Sequence, residues 1–115
     1  ELACSEVGGR LQELRTVLSG IAPVHTVRLV RNPFSLRNRK GLSDLKKIIN
    51  GRSWDVIWTN EPVMGVMTRV AAKTVRKKGT KVVYMVHGFH FYKGAPLTNW
   101  LLYYPVEKYC SRFAT

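Results

Sequence analysis

The sequence predicts an α/β fold: a Rossmann-like parallel sheet flanked by helices. Three observations predict it. Apolar runs rich in β-branched and aromatic residues alternate with segments of helical periodicity, the joints between them are short, and the strand candidates are apolar on both faces, as parallel strands with two covers are. Right-handed crossovers then place helices on both faces of the sheet.

The elements follow in chain order. Leu2, Val7, Leu11, Leu14 and Leu18 stand at helical spacing with charges between them, which predicts an amphipathic helix over residues 1–18. Gly8-Gly9 interrupts it, so its stable part is expected from near Arg10 to Ser19-Gly20. A glycine pair at a helix start also admits a phosphate close to the backbone, although no strand is expected before it. Val24 to Val30 alternates as a strand, with His25 on it as a structural or surface residue. Arg31 to Lys40 is a polar, basic loop bent at Pro33 and holding four cations, an anion-binding candidate.

Leu42, Leu45, Ile48 and Ile49 form the apolar stripe of a helix that Gly41 or Ser43 caps and Asn50-Gly51 stops. Trp54 to Thr59 reads as the next strand, closed by Asn60-Glu61-Pro62. One long helix is expected from Val63 to Lys78, with Val63, Val66, Met67, Val70, Ala71 and Val75 inward and Arg69, Lys73, Arg76, Lys77 and Lys78 outward; Gly79 ends it. Lys81 to Val86 is a buried strand. After a loop, Pro96 starts an apolar and aromatic helix that Pro105 is expected to kink near Tyr104, with Val106 to Phe113 as a second segment.

Composition bounds the function. A chain of 115 residues is one domain, and no apolar run approaches the roughly 18 to 20 residues of a membrane-spanning helix. Cys4 and Cys110 stand apart with no histidine cluster, which argues against zinc and reads as two reduced thiols. The net charge of +12 favours polyanions: nucleic acid, anionic lipid or phosphorylated substrate. The cations also fit solvated helix faces. Because the sequence starts at Glu1 and stops at Thr115 within a helical pattern, both ends are expected to be cut.

Functional side chains crowd into Val86-His87-Gly88-Phe89-His90-Phe91-Tyr92-Lys93-Gly94. His87 lies at the carboxyl end of a predicted strand, where open α/β sheets bind ligands.

That run, with Asn99 to Lys108 after it and Arg31-Asn32-Pro33-Phe34-Ser35, Trp54 to Ile57 and Thr68 to Ala72 before it, resembles the amino-terminal domain of family 4 glycosyltransferases of the kind that builds bacterial capsular and exopolysaccharides. The resemblance covers Arg28 onward and implies the amino-terminal half of a GT-B fold. Residues 1–115 are then one Rossmann-like acceptor-side domain, a fragment of a two-domain hexosyltransferase that is inactive alone, with the first strand missing. The missing strand leaves a sheet edge through which copies associate.

By resemblance, the donor is a nucleotide sugar bound mainly by a second domain, and the acceptor is a saccharide, polyprenyl-linked in this reading. His87 is the implied catalytic residue. Gly88, His90, Lys93, Gly94, Asn60, Arg31 and Asn32 are the implied substrate contacts, and Arg37, Arg39 and Lys40 meet a diphosphate or an anionic membrane. No cofactor or metal is expected. The implied location is cytoplasmic, peripheral on the inner face of the plasma membrane.

Trp58-Thr59-Asn60 departs from the family's His-x-His and Met64-Gly65 from its Gly-Gly, which puts acceptor contacts there in question. Two readings from other classes stand beside this one: a non-catalytic docking subunit of a split glycosyltransferase, and a basic nucleic-acid-binding α/β domain. Against the second, the cations follow no recognised nucleic-acid motif and surround no aromatic stacking platform.

Overall fold

A computed structural model describes residues 1–6 and 9–115. Four strands alternate with helices in the order β1 (Leu2–Ser5), α1 (Leu11–Val17), β2 (Val24–Val27), α2 (Asn38–Asn50), β3 (Val56–Thr59), α3 (Pro62–Ala71), α4 (Lys73–Lys77), β4 (Lys81–Tyr84) and α5 (Leu97–Cys110), followed by a 3-10 turn at Ser111–Phe113. The strands form two parallel pairs, β1 with β2 and β3 with β4. Leu2 stands opposite Val24 in the first, and Val56 opposite Lys81 in the second. The expected α/β alternation therefore holds.

The opening of the chain differs from expectation. Leu2 to Ser5 is a strand, not the start of a helix, and its ladder begins where the Leu2 N–H donates to the Pro23 carbonyl at 3.0 Å. The leading strand expected outside the chain is therefore this one, paired with β2. Four residues with the composition Leu-Ala-Cys-Ser carry little strand propensity of their own, so the pairing decides their state. Gly8 of the expected phosphate site and Val7 of the expected helix lie outside the described residues.

The core joins Val27 and Leu29, Leu45 and Ile49 of α2, Ala71, Ala72 and Val75 of the α3–α4 segment, and Val82 of β4. α2 begins earlier than its apolar stripe because Asn38, fully buried, accepts from the Val30 N–H at 2.8 Å and donates to the Asn32 carbonyl at 2.8 Å. Neither Gly41 nor Ser43 is a cap. Gly41 is instead where α2 touches the chain after β2: a Cβ there would overlap the Leu29 side chain and come within 2.7 Å of the Arg28 carbonyl oxygen.

Three further expectations are corrected. The helix after Pro62 is two helices, divided at buried Ala72, whose ψ of 0° lies outside the helical range. α5 passes through Pro105 to Cys110 as one element; proline's fixed φ suits a helix, and only its bond to the Leu101 carbonyl is forfeited. The β3–β4 pair is covered on one face, by Ile57 and Val82, while Val56, Trp58 and Val83 lie on an exposed face, Trp58 at 62%.

Candidate functional site

The loops that follow β2 and β4 come together at one end of the molecule, above the start of α3 and beside α5. Between them lies a pocket of about 440 Å³. Arg31, Pro33 and Phe34 form one side, Gly88 to Phe91 a second, Val63, Val66 and Met67 of α3 a third, and Tyr103, Val106 and Glu107 of α5 the fourth. Glu61, Pro62 and Tyr84 complete it. An apolar wall with a few convergent polar groups is the usual form of a small-molecule site.

Aromatic stacking sets the loop's shape. His90 stacks on Tyr103 with ring centres 4.7 Å apart, and the Tyr103 ring in turn lies 6.2 Å from Phe34, so one α5 side chain ties both loops. Phe89 stacks on Phe91 at 4.7 Å, and Phe91 packs against Trp100 and Tyr104. Asn99 Nδ2 donates to the His90 carbonyl at 2.9 Å. Phe91 thus anchors the loop on α5, Phe89 is held through Phe91, and both line the pocket.

Beneath the pocket lies a charged cluster built on Arg69, a residue expected to face outward. Arg69 is 2% exposed; its Nε donates to the Gly65 carbonyl at 3.0 Å and its guanidinium to Glu107 Oε2 at 2.8 Å. The guanidinium also lies 4.1 Å from the Tyr84 ring centre. Burial, with the Glu107 charge beside it, pushes the Tyr84 hydroxyl above its usual pKa. α3, β4 and α5 thus meet at one ion pair, which presents a carboxylate and a phenol to the pocket.

The expected site residues separate into groups. Arg31, Gly88 and His90 line the pocket. His87 is exposed beside Gly88 and is not part of the lining, as are Lys93 and Gly94 farther along the loop. Asn32 shapes the first loop: its Oδ1 accepts from the Phe34 N–H at 3.0 Å. Asn60 borders a different cavity, of about 200 Å³, between β1 and β3, where the buried Thr59 hydroxyl has no hydrogen-bond partner among the described residues. Arg37, Arg39 and Lys40 are exposed at the start of α2.

Glu107, Tyr84 and Arg69 were missed, as were Phe34, Glu61 and Tyr103 as pocket residues. One signal was legible: Glu107 is the sole acid after Glu61, set in an apolar helix among cations. Among the described residues, no group of three or more His, Cys, Asp or Glu side chains is placed to hold a metal ion.

A family described as "Glycosyl transferase 4-like" matches residues 2–115. A curated protein of Bacillus subtilis (strain 168) named "Putative glycosyltransferase EpsD" is 44% identical over 99 residues, which cover 86% of this chain and 26% of that protein. The matched region thus spans about a quarter of that relative's length. No solved structure matches.

Proposed function

The chain belongs to the glycosyl transferase 4-like family, and from that premise we propose that it is the acceptor-side domain of a glycosyltransferase that moves a sugar from a nucleotide-sugar donor to a lipid-linked saccharide in exopolysaccharide synthesis. The observation that carries this reading is the pocket between Phe34, Phe89, Tyr103 and Glu107. A pyranose has apolar C–H faces and a rim of hydroxyls. Aromatic rings take the faces, and the carboxylates of Glu61 and Glu107 accept from the hydroxyls, so the wall and the charges answer different parts of one ligand.

In the transfer, an acceptor oxygen bonds to the anomeric carbon as the bond from that carbon to the diphosphate breaks. The nucleoside diphosphate leaves with the electron pair, and the acceptor hydroxyl's proton ends on it or in water. Charge develops at the sugar ring, so a preorganised donor or acceptor beside it lowers the barrier. His87, exposed at the loop next to the pocket, is the residue proposed for that role; an imidazole is able to hydrogen-bond a sugar hydroxyl in either protonation state.

Kinetics of the full-length enzyme test both halves. We expect Tyr103→Ala to raise the acceptor KM at least about tenfold with the donor KM unchanged, and His87→Ala to lower kcat by about 10²-fold or more. If His87→Ala transferred sugar at the native rate while His90→Ala did not, the catalytic assignment would pass to His90. An unchanged acceptor KM in Tyr103→Ala removes the pocket from acceptor binding.

A further inference from the structure

The sides of the pocket differ in kind. The loops bring flat rings, Phe34 and Phe89 among them, which suit the C–H faces of a sugar. α3 brings something else: Val63, Val66 and Met67 recur at helical spacing on one face, and Val106 of α5 lines the same space. Such side chains offer a ligand neither a hydrogen bond nor a stacking plane. Yet acids flank them along the chain, Glu61 just before Pro62-Val63 and Glu107 just after Val106, and both acids line the pocket. Arg69, buried, donates to Glu107 Oε2 at 2.8 Å, which fixes that carboxylate and leaves most of its lone pairs for other donors.

Resting on the acceptor reading above, we propose that the sugar this pocket takes carries an acetamido group, its methyl on the surface of Val63, Val66, Met67 and Val106 and its amide N–H donated to a flanking carboxylate. An unsubstituted hexose turns hydroxyls toward that surface, and each loses its partners in water without gaining one. A pure hydrocarbon, such as an isoprenoid tail, covers the valines but desolvates Arg31, Glu61 and Glu107 without giving the acids a donor. A deoxy sugar brings a methyl and no donor; a free amine brings a donor and nothing apolar. The acetamido group holds a donor and a methyl two bonds apart, and so meets an acid beside an aliphatic surface with both.

Saturation-transfer NMR on the full-length enzyme, with methyl glycosides of the gluco and galacto series as probes, tests this without a transfer assay. In at least one series the N-acetylated glycoside is expected to bind about tenfold tighter than the unsubstituted one, with the strongest transfer at its acetyl methyl. It should also bind more tightly than the matching 2-amino and 6-deoxy glycosides. Val66→Thr keeps the volume and adds a hydroxyl, and should reduce the N-acetyl preference to about twofold or less. Val106→Thr should do the same from α5; circular dichroism verifies both folds, and if one variant is unfolded the other decides.

Equal affinity for the N-acetylated and unsubstituted glycosides in both series overturns the proposal, as does a deoxy sugar or an amine that binds as tightly as the amide. A preference that survives the valine substitutions places its origin outside this pocket and overturns it too. Tyr103→Ala separates the two readings. If glycoside binding depends on Tyr103 but shows no N-acetyl preference, the acetamido inference fails alone; if no glycoside binds, or Tyr103→Ala changes nothing, the acceptor reading fails and takes the inference with it.

Discussion

Arg69 shows how a single residue escapes a periodic pattern. On a helical wheel of residues 62–78 it falls among cations and reads as solvent-facing. Its burial depends on Glu107, 38 positions later, and on Tyr84 from a strand between them. No window on α3 contains that information. Breaking a buried pair from one side leaves a desolvated charge, so Arg69→Met should cost about 3–5 kcal/mol in urea denaturation, while Arg69→Met/Glu107→Leu should regain most of the loss. If the double variant is as unstable as the single, the pair is not the origin of the cost. His90 was legible and Tyr103 was not for a related reason: a histidine after a strand announces itself, but a tyrosine in an aromatic helix acquires a role only from the rings it touches.

At the scale of elements, the tightest joint is α3 against β4. A Cβ on Gly65 would stand 2.5 Å from Tyr84 Cε2, and the Arg69 guanidinium, one turn along the same helix, lies 4.1 Å from the centre of that ring and holds it in place. Two effects compete in Gly65→Ala: the helix gains about 1 kcal/mol of propensity, and overpacking against a ring that cannot move costs about 1–3 kcal/mol. We expect overpacking to win, with a lower melting temperature and a smaller penalty when Tyr84→Leu supplies space. A Gly65→Ala protein more stable than the native one would show that the ring moves aside. The elements best read from sequence, α2, β3 and β4, have local signals: an apolar stripe, β-branched runs and the stops at Asn50-Gly51 and Gly79. The misread ones lacked them. β1 exists through its pairing with β2, and α5 survives Pro105 because the tilted Trp100–Tyr104 contact before it and the Arg69–Glu107 pair after it hold both halves.

For the whole molecule the governing quantity is charge, +12 with only seven acids to balance it. Arg28 donates to both oxygens of Asp44, at 2.8 and 2.6 Å, and this holds the Asp44 carboxyl at about 2, below its ordinary 3.8. A lowered folded pKa contributes stability that is complete above the unfolded value and is lost as pH falls through the folded one, so this pair's share should vanish between about pH 4 and pH 2. Protonation of the other carboxylates adds repulsion over the same range. Urea midpoints against pH should therefore fall steeply there, and Asp44→Asn should flatten the descent; an unchanged slope in that variant would remove Asp44 from the account. The sequence by itself determined the α/β alternation, the basic loop and the polar run after β4, because periodicity, composition and turn residues are properties of neighbours along the chain. Only the tertiary structure decided that Leu2–Ser5 is a strand, that Arg69 is buried, and that Phe34, His90, Tyr103 and Glu107 enclose one pocket, because each depends on contacts between segments far apart in sequence, whose burial and pairing outweigh what any one of them prefers alone.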